Sequence, residues 1–123
     1  MNTIVLIGAG STNFGLGTIG DIFKSKILDR SKIVLHDINT ESLKKTELIA
    51  KKYKKKLNLN FTLEATTSRK DALKNADFCI ISIEVQPRFD LWDQDWKVPL
   101  EYGFQQVFGE NGGPGGLFHS LRV

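Results

Sequence analysis

The chain has 123 residues, of which 41% are hydrophobic and 25% charged, and its formal net charge is +3 at pH 7. This length and composition are typical of one globular domain with a single core. They exclude a disulfide framework within one copy, because Cys79 is the sole cysteine, and no apolar run is long enough to cross a bilayer. We expect a cytoplasmic protein without a membrane partner, in which Cys79 is buried as a small apolar side chain.

The first predicted strand, Thr3–Ile7, leads directly into a turn with two glycines. Gly8 lets the chain turn sharply, and Gly10 leaves room for the backbone to approach a phosphate. A helix predicted from about residue 15 to residue 26 would present its N-terminal N–H groups to that anion. We therefore expect a dinucleotide to bind on Gly8, Gly10, Ser11, Thr12 and Asn13, the last of which replaces the third glycine of the usual fingerprint.

The second predicted strand, Lys32–His36, ends next to an acidic residue, Asp37. A carboxylate at this position can accept hydrogen bonds from both ribose hydroxyls of an adenine dinucleotide, and its charge would repel a 2′-phosphate. Asp37 therefore favours NAD over NADP as the cofactor. The alternative is that Asp37 only begins a turn or caps the helix that starts near Thr40.

A lysine-rich helix is predicted from Glu41 to about residue 57. Its basic run could be a nucleic-acid patch, or it could be the solvated face of an amphipathic helix. The second interpretation is favoured, because no aromatic side chains interleave with the lysines and acidic residues dilute their charge. Apolar side chains at helical spacing form the opposite face: Leu43, Ala50, Tyr53 and Leu57. We expect no nucleic-acid partner.

The remaining elements complete an alternating pattern of strands and helices. A third strand is predicted at Phe61–Glu64, a short helical piece at Arg69–Lys74, and a fourth strand at Phe78–Ile83. The fourth strand is continuously apolar, which predicts a strand covered on both faces. Right-handed crossovers then give an α/β fold, a Rossmann-like doubly wound parallel sheet of order 3-2-1-4, with ligands bound above the first and fourth strands. We expect residues 1–123 to form one NAD-binding domain.

The chain changes character after the fourth strand. Residues 86–88 predict a turn, Pro99 is expected to interrupt any helix, and Tyr102-Gly103 predict another break. The glycine-rich block at 109–116 is expected to be a loop or tail, because so many glycines disfavour a packed helix or strand. Pro114 predicts the start of a helix that the chain end interrupts. The sequence is therefore expected to be a fragment, truncated before the later strands of the sheet.

Three motifs together resemble the NAD-dependent family 4 glycoside hydrolases, and the segment Glu110–Gly113 looks more like their α-glucosidase, α-galactosidase and α-galacturonidase branch than their phospho-glucosidase branch. They are the segment 8–12 after the first strand, the segment Val98–Gly103, and the glycine-rich block Gly109–Gly116 followed by Leu121-Arg122. The resemblance spans almost the whole chain, and it corresponds to the amino-terminal part of the family's proteins.

The resemblance implies that the parent protein is a glycosidase. In that family O-glycosidic bonds are cleaved by oxidation and elimination, with NAD and a divalent metal, usually manganese. The family's metal ligands and catalytic base would lie beyond the chain end, so this fragment would hold no catalytic or metal-binding residue and be inactive alone. By position, Glu110 and Asn111 would contact the sugar, while Ser82, Ile83 and Glu84 would lie beside the nicotinamide ribose. Glu84 could equally be a solvated charge at the strand end.

One position bears on the substrate. Family members that act on 6-phosphorylated sugars carry an arginine where this chain has Trp92, and Arg88 is offset from that place. This favours an unphosphorylated α-glycoside or a hexuronide as the small-molecule substrate. The parent protein is separately expected to be a homo-oligomer, either a dimer or a tetramer. Trp92 and Trp96 are either packing residues or sugar platforms. The alternatives are an NAD-dependent 2-hydroxyacid dehydrogenase of the lactate or malate type, and a stand-alone nucleotide-binding module.

Overall fold

A computed structural model describes residues 2–85, 87–106 and 112–122 of the chain. The chain divides into two units, Met1–Ser82 and Ile83–Val123. The single domain expected over residues 1–123 stays a prediction. None of the described helices is both long and apolar enough to cross a membrane.

The first unit is a four-stranded parallel sheet with connecting helices. The strand order is β3-β2-β1-β4, which confirms the predicted topology. In chain order the elements are β1 (Thr3–Ile7), α1 (Phe14–Lys24), β2 (Lys32–His36), α2 (Thr40–Lys56), β3 (Thr62–Thr66), α3 (Arg69–Ala72) and β4 (Phe78–Ile81). The bounds of β1 and β2 are those predicted, because each β-branched run stops at a turn residue.

Alternate residues of the central strands point to opposite faces of the sheet. On one face, Ile4, Leu6, Ile33 and Leu35 pack with side chains of α1 and α2. On the other face, Val5 and Val34 pack with Ala72 of α3. Helices therefore cover both faces of β1 and β2, as a doubly wound sheet requires. Phe61 is buried beside Phe23, with ring centroids 5.2 Å apart, and β3 begins one residue later than predicted.

The fourth strand departs from the prediction. It ends at Ile81, two residues early, and it is the outermost strand of the described sheet, paired with β1 on one side. Phe78 is 56% exposed and Ile81 is 61% exposed, so the prediction of a strand covered on both faces was wrong. Cys79 is also exposed, which corrects the expectation that it is buried. An apolar run indicates that both faces of a strand can be buried, but the position of the strand in the sheet decides whether they are.

The lysine-rich helix α2 begins where Asn39 caps it, with Asn39 Oδ1 accepting from the Ser42 amide at 3.0 Å. Leu43 and Ala50 are buried as predicted, whereas Tyr53 and Leu57, expected on the same apolar face, are more than half exposed. On the solvated face Lys45 Nζ donates to Glu41 at 2.7 Å, and this hydrogen bond, with the charge of Lys45, lowers the pKa of the Glu41 carboxyl.

In the part of the second unit that the structure describes, the helices α4 (Arg88–Glu101) and α5 (Gly113–Arg122) pack against each other. Pro99 was expected to interrupt any helix, but it lies inside the last turn of α4. Proline lacks the N–H that would bond the carbonyl four residues earlier, which is that of Asp95. That carbonyl instead accepts a hydrogen bond from Gln106 Nε2 at 2.8 Å, which compensates for the missing backbone donor. Gly103, at φ +81°, then ends it.

Within the described part of the glycine-rich block, residues 113–116 are helical, contrary to the prediction of a loop or tail. Gly113–Gly116 form the first turn of α5, and Pro114 lies in that turn, as predicted for a helix start. A Cβ at Gly115 would lie well inside van der Waals contact of the Asp95 carbonyl oxygen. Glycine is therefore used here for close helix packing rather than for flexibility. The Asp95 carboxylate is buried and pairs with Arg122 at the other end of α5.

Candidate functional site

The turn between β1 and α1 is anchored on the end of β2. Gly8 has φ +87°, in the left-handed region that favours glycine. The amides of Gly8 and Ala9 both donate to the carbonyl oxygen of His36, at 2.9 and 3.0 Å. These bonds continue past the last pair of the β1–β2 ladder, so the turn begins in a defined position at the carboxyl end of the sheet.

Asp37 joins the two halves of the predicted site. The amide of Gly10 donates to Asp37 Oδ2 at 2.8 Å, and the amide of Asn39 donates to Asp37 Oδ1 at 2.8 Å. The second bond is an Asx turn, as in the alternative interpretation, but the side chain that caps α2 is Asn39. A turn alone does not explain the first bond, which spans 27 residues of sequence. The structure therefore brings the second strand's acid onto the glycine turn.

Gly10 is required for this contact. A Cβ at Gly10 would lie 2.7 Å from Asp37 Oδ2 and 2.9 Å from the Cβ of Ser42. Sequence reasoning gave Gly10 the task of leaving room for a phosphate. In the structure the space beside its α carbon is filled by the Asp37 carboxylate and by α2, so the glycine first serves the packing of the loop against the acid.

The donor and acceptor groups of this site fit a dinucleotide. Ser11, Thr12 and Asn13 are exposed, and the first turn of α1 contains no acidic residue that would neutralise the positive end of the helix dipole. Within the described part of the chain, the Asn13 side chain makes no capping bond. The Phe14 amide donates to Ser11 Oγ at 3.3 Å, a long bond that an approaching anion would replace at this helix end. Each Asp37 oxygen accepts one backbone bond and keeps a second lone pair for a ribose hydroxyl.

Two residues of this region were not recognised as site residues from the sequence. A Cβ at Gly15 would overlap the carbonyl oxygen of Ala9, so Gly15 takes the close-packing part that the third glycine has in the usual fingerprint. Its position two residues beyond the expected one was the available signal. His36 is 4% exposed, and its Nδ1 donates to the Thr66 carbonyl at 3.0 Å. The only sequence signal for His36 was a polar residue at the end of an otherwise apolar strand.

The predicted residues after β4 are divided between the two units. The Ser82 amide donates to the Ile7 carbonyl at 2.9 Å and extends the β1–β4 ladder in the first unit. Ile83 and Glu84 belong to the second unit, where the Glu84 carboxylate lies 3.6 Å from Arg88 Nε. Their contact with a cofactor stays a prediction. Glu110 and Asn111, predicted to bind the sugar, lie outside the described residues.

The aromatic side chains of α4 form a packed group around Arg88. The guanidinium carbon of Arg88 lies 4.0 Å from the centroid of the Trp92 ring, and Phe89 meets Trp92 edge-on at 5.9 Å. Trp92 Nε1 is buried and has no hydrogen-bond partner among the described residues. Trp96 is 41% exposed. Among residues 2–85, 87–106 and 112–122, no three His, Cys, Asp or Glu side chains are grouped to hold a metal ion.

Comparisons with known proteins agree with this geometry. The family described as family 4 glycosyl hydrolase matches residues 3–123. An alpha-glucosidase of Erwinia rhapontici is 61% identical over 120 residues, which are 98% of this chain and 26% of that protein. An alpha-galactosidase of Bacillus subtilis strain 168 is 32% identical over 123 residues, which are 100% of this chain and 28% of that protein. The chain spans about a quarter of the length of these curated relatives.

Solved structures show the same fold. A 6-phospho-alpha-glucosidase from gut microorganisms, in complex with NAD and Mn²⁺, has a TM-score of 0.76 at 23% identity, covering 98% of this chain and 27% of that one. Malate dehydrogenase from Plasmodium falciparum has a TM-score of 0.58 at 26% identity, covering 78% of this chain and 28% of that one. The dehydrogenase alternative is therefore the weaker one. The family match includes both the glycine turn after β1 and the glycine-rich block at residues 109–116. The chain therefore belongs to the family 4 glycosyl hydrolases.

Proposed function

We propose that the chain is the NAD-binding portion of a glycosidase that cleaves O-glycosidic bonds by an oxidation and elimination mechanism dependent on NAD and a divalent metal, manganese. The observation that carries the proposal is the contact between the Asp37 carboxylate and the Gly10 amide, 2.8 Å long, at the carboxyl end of the sheet in a family 4 chain. This is the place in a doubly wound sheet where dinucleotides bind.

The chain's own residues would bind and orient the cofactor. The turn residues Gly8, Gly10, Ser11, Thr12 and Asn13 would hold the pyrophosphate against the N-terminus of α1. Asp37 would accept the ribose hydroxyls and exclude a 2′-phosphate by charge repulsion. Bound NAD would supply a reversible acceptor for hydride from one sugar carbon. A ketone at that carbon makes the C–H bond of the neighbouring carbon acidic.

Further positions complete the proposal by family resemblance. Ser82, Ile83 and Glu84 would lie beside the nicotinamide ribose, and Glu110 with Asn111 would contact the sugar. The metal ligands and the catalytic base are proposed to lie outside this chain. We further propose that the complete protein is a cytoplasmic homo-oligomer, which sedimentation and cell fractionation would test.

The proposed substrate is an unphosphorylated α-glycoside or hexuronide. At the position where a phosphate-binding arginine would stand, this chain has Trp92, packed beneath Arg88. The Arg88 guanidinium is stacked on that ring and faces Glu84, so it is partly neutralised and is poorly placed to bind a phosphate as a bidentate pair. The names alpha-glucosidase and alpha-galactosidase of the relatives in Erwinia rhapontici and Bacillus subtilis support the same class.

A binding experiment tests the cofactor. The 123-residue chain is titrated with NAD and with NADP by calorimetry, as wild type, as Asp37→Asn and as Asp21→Asn. Asp21 is an exposed acid of α1 and gives the same charge change away from the turn. We expect Asp37→Asn to weaken NAD binding about tenfold without weakening NADP, because hydrogen bonds to the charged carboxylate are lost. Asp21→Asn should leave both affinities unchanged.

A hydrolysis experiment tests the activity. The product of the complete reading frame is assayed on chromogenic α-glucosides, α-galactosides and α-galacturonides with NAD and Mn²⁺, each with and without a 6-phosphate where the sugar allows it. We expect turnover of an unphosphorylated substrate that stops when either cofactor is removed, and no turnover by the 123-residue chain alone. Absence of NAD binding at millimolar concentration, or turnover without NAD, would contradict the proposal.

A further inference from the structure

His36 connects three strand ends at the carboxyl edge of the sheet. It is the last residue of β2, and its backbone pairs with Ile7 of β1 on one side and with Thr66 of β3 on the other. Its carbonyl oxygen accepts the amides of both Gly8 and Ala9. The cofactor turn and the last residue of β3 are therefore attached to one residue.

The His36 side chain makes the third attachment. The ring is buried, 4% exposed, and its Nδ1 lies 3.0 Å from the carbonyl oxygen of Thr66. Because a carbonyl oxygen only accepts hydrogen bonds, Nδ1 carries the proton and donates it. This bond holds the end of β2 against the end of β3, at the point where the next residue, Asp37, leaves the sheet.

We propose that His36 is a positioning residue for the Asp37 carboxylate, acting through its imidazole bond to Thr66 and its carbonyl bonds to the turn. Asp37 follows directly in the chain and must reach the Gly10 amide with Oδ2 and the Asn39 amide with Oδ1. Both bonds depend on where the end of β2 lies. An apolar side chain at position 36 would leave the half-buried Thr66 carbonyl without this donor and loosen that end. The inference rests on the proposed function, because it assigns the residue to the orientation of the ribose-binding acid.

Two variants separate the hydrogen bond from the volume of the ring. His36→Leu removes the donor at similar size, whereas His36→Asn keeps an N–H group close to the place of Nδ1. Amide hydrogen exchange of the 123-residue chain is followed by NMR, and NAD affinity is measured by calorimetry. For His36→Leu we expect the Gly10 amide to exchange about tenfold faster relative to the β1 amides, and the Kd for NAD to rise about tenfold. For His36→Asn both should stay within about threefold of wild type.

A control variant accounts for general destabilisation. Val34→Ala shortens a buried side chain two residues earlier on the same strand and the same face. It should lower Tm without selective exchange at Gly10 and without a change in NAD affinity. A Gly10 amide as protected in His36→Leu as in wild type would overturn the proposal, and so would a His36→Asn variant as impaired as His36→Leu. Exchange needs no ligand, so failure of the wild-type chain to bind NAD would refute the proposed function while exchange still decides the role of His36.

Discussion

Replacing Gly10 with alanine tests the central contact of the site. The new Cβ would lie 2.7 Å from Asp37 Oδ2, 2.9 Å from its Cγ and 2.9 Å from the Cβ of Ser42, all shorter than ordinary van der Waals contact. The carboxylate must therefore move, and it loses the 2.8 Å hydrogen bond from the Gly10 amide. A hydrogen bond to a charged group contributes about 2 kcal/mol, which corresponds to a Tm lower by roughly 8 °C for a chain of this size.

The assay is thermal unfolding followed by circular dichroism, together with calorimetric titration by NAD. The matched control is Gly20→Ala in α1, where a Cβ would meet nothing within 4 Å. That variant should stabilise the helix by about 1 kcal/mol, because alanine favours a helix more than glycine does. In an Asp37→Ala background the cost of Gly10→Ala should shrink, since the nearest clashing atoms are gone. A Gly10→Ala protein with wild-type Tm and wild-type NAD affinity would refute the reasoning.

Further variants test other packed glycines and charges. Gly15→Ala should cost more than Gly10→Ala, because its Cβ overlaps backbone rather than a mobile carboxylate, and loss of the folded species by NMR would show it. Arg122→Met should destabilise the second unit by about 3 kcal/mol in urea unfolding, because Asp95, 4% exposed, would be left as a buried unpaired charge. Lys97→Met, which breaks an exposed pair, should cost less than about 0.5 kcal/mol, and equal costs for the two variants would contradict this. Cys79 should react with a thiol reagent before the 123-residue chain unfolds, and protection until unfolding would contradict its exposure.

Local patterns predicted the first unit well. The limits of β1 and β2 follow from β-branched runs that end at Gly8 and beside Asp37, and alternation of strands and helices predicted the order of the sheet. The pairing of Asp37 with the glycine turn was also implied, because the carboxyl ends of neighbouring parallel strands meet at one edge. The packing of Gly10 against the Asp37 carboxylate was not predicted, because it depends on the orientation of a side chain 27 residues away in sequence.

The errors share a physical cause, which is that burial and capping are decided between segments distant in sequence. The exposure of Cys79 follows from the outer position of β4 in the described sheet, and an apolar run does not report that position. The glycines of the 109–116 block indicated a loop because their low helix propensity was considered alone. In the structure Gly115 is valuable in α5 because α4 lies against it.

Pro99 and Gln106 form a complementary pair with an evolutionary consequence. The proline removes a backbone donor from α4, and the side-chain amide of Gln106 supplies a donor to the same Asp95 carbonyl. A family member with an ordinary residue at the first position regains the backbone donor and no longer needs an amide at the second. The two positions should therefore vary together among homologues, and a glutamine retained beside a non-proline would be explained by its Oε1, which lies 3.4 Å from the Gly115 amide.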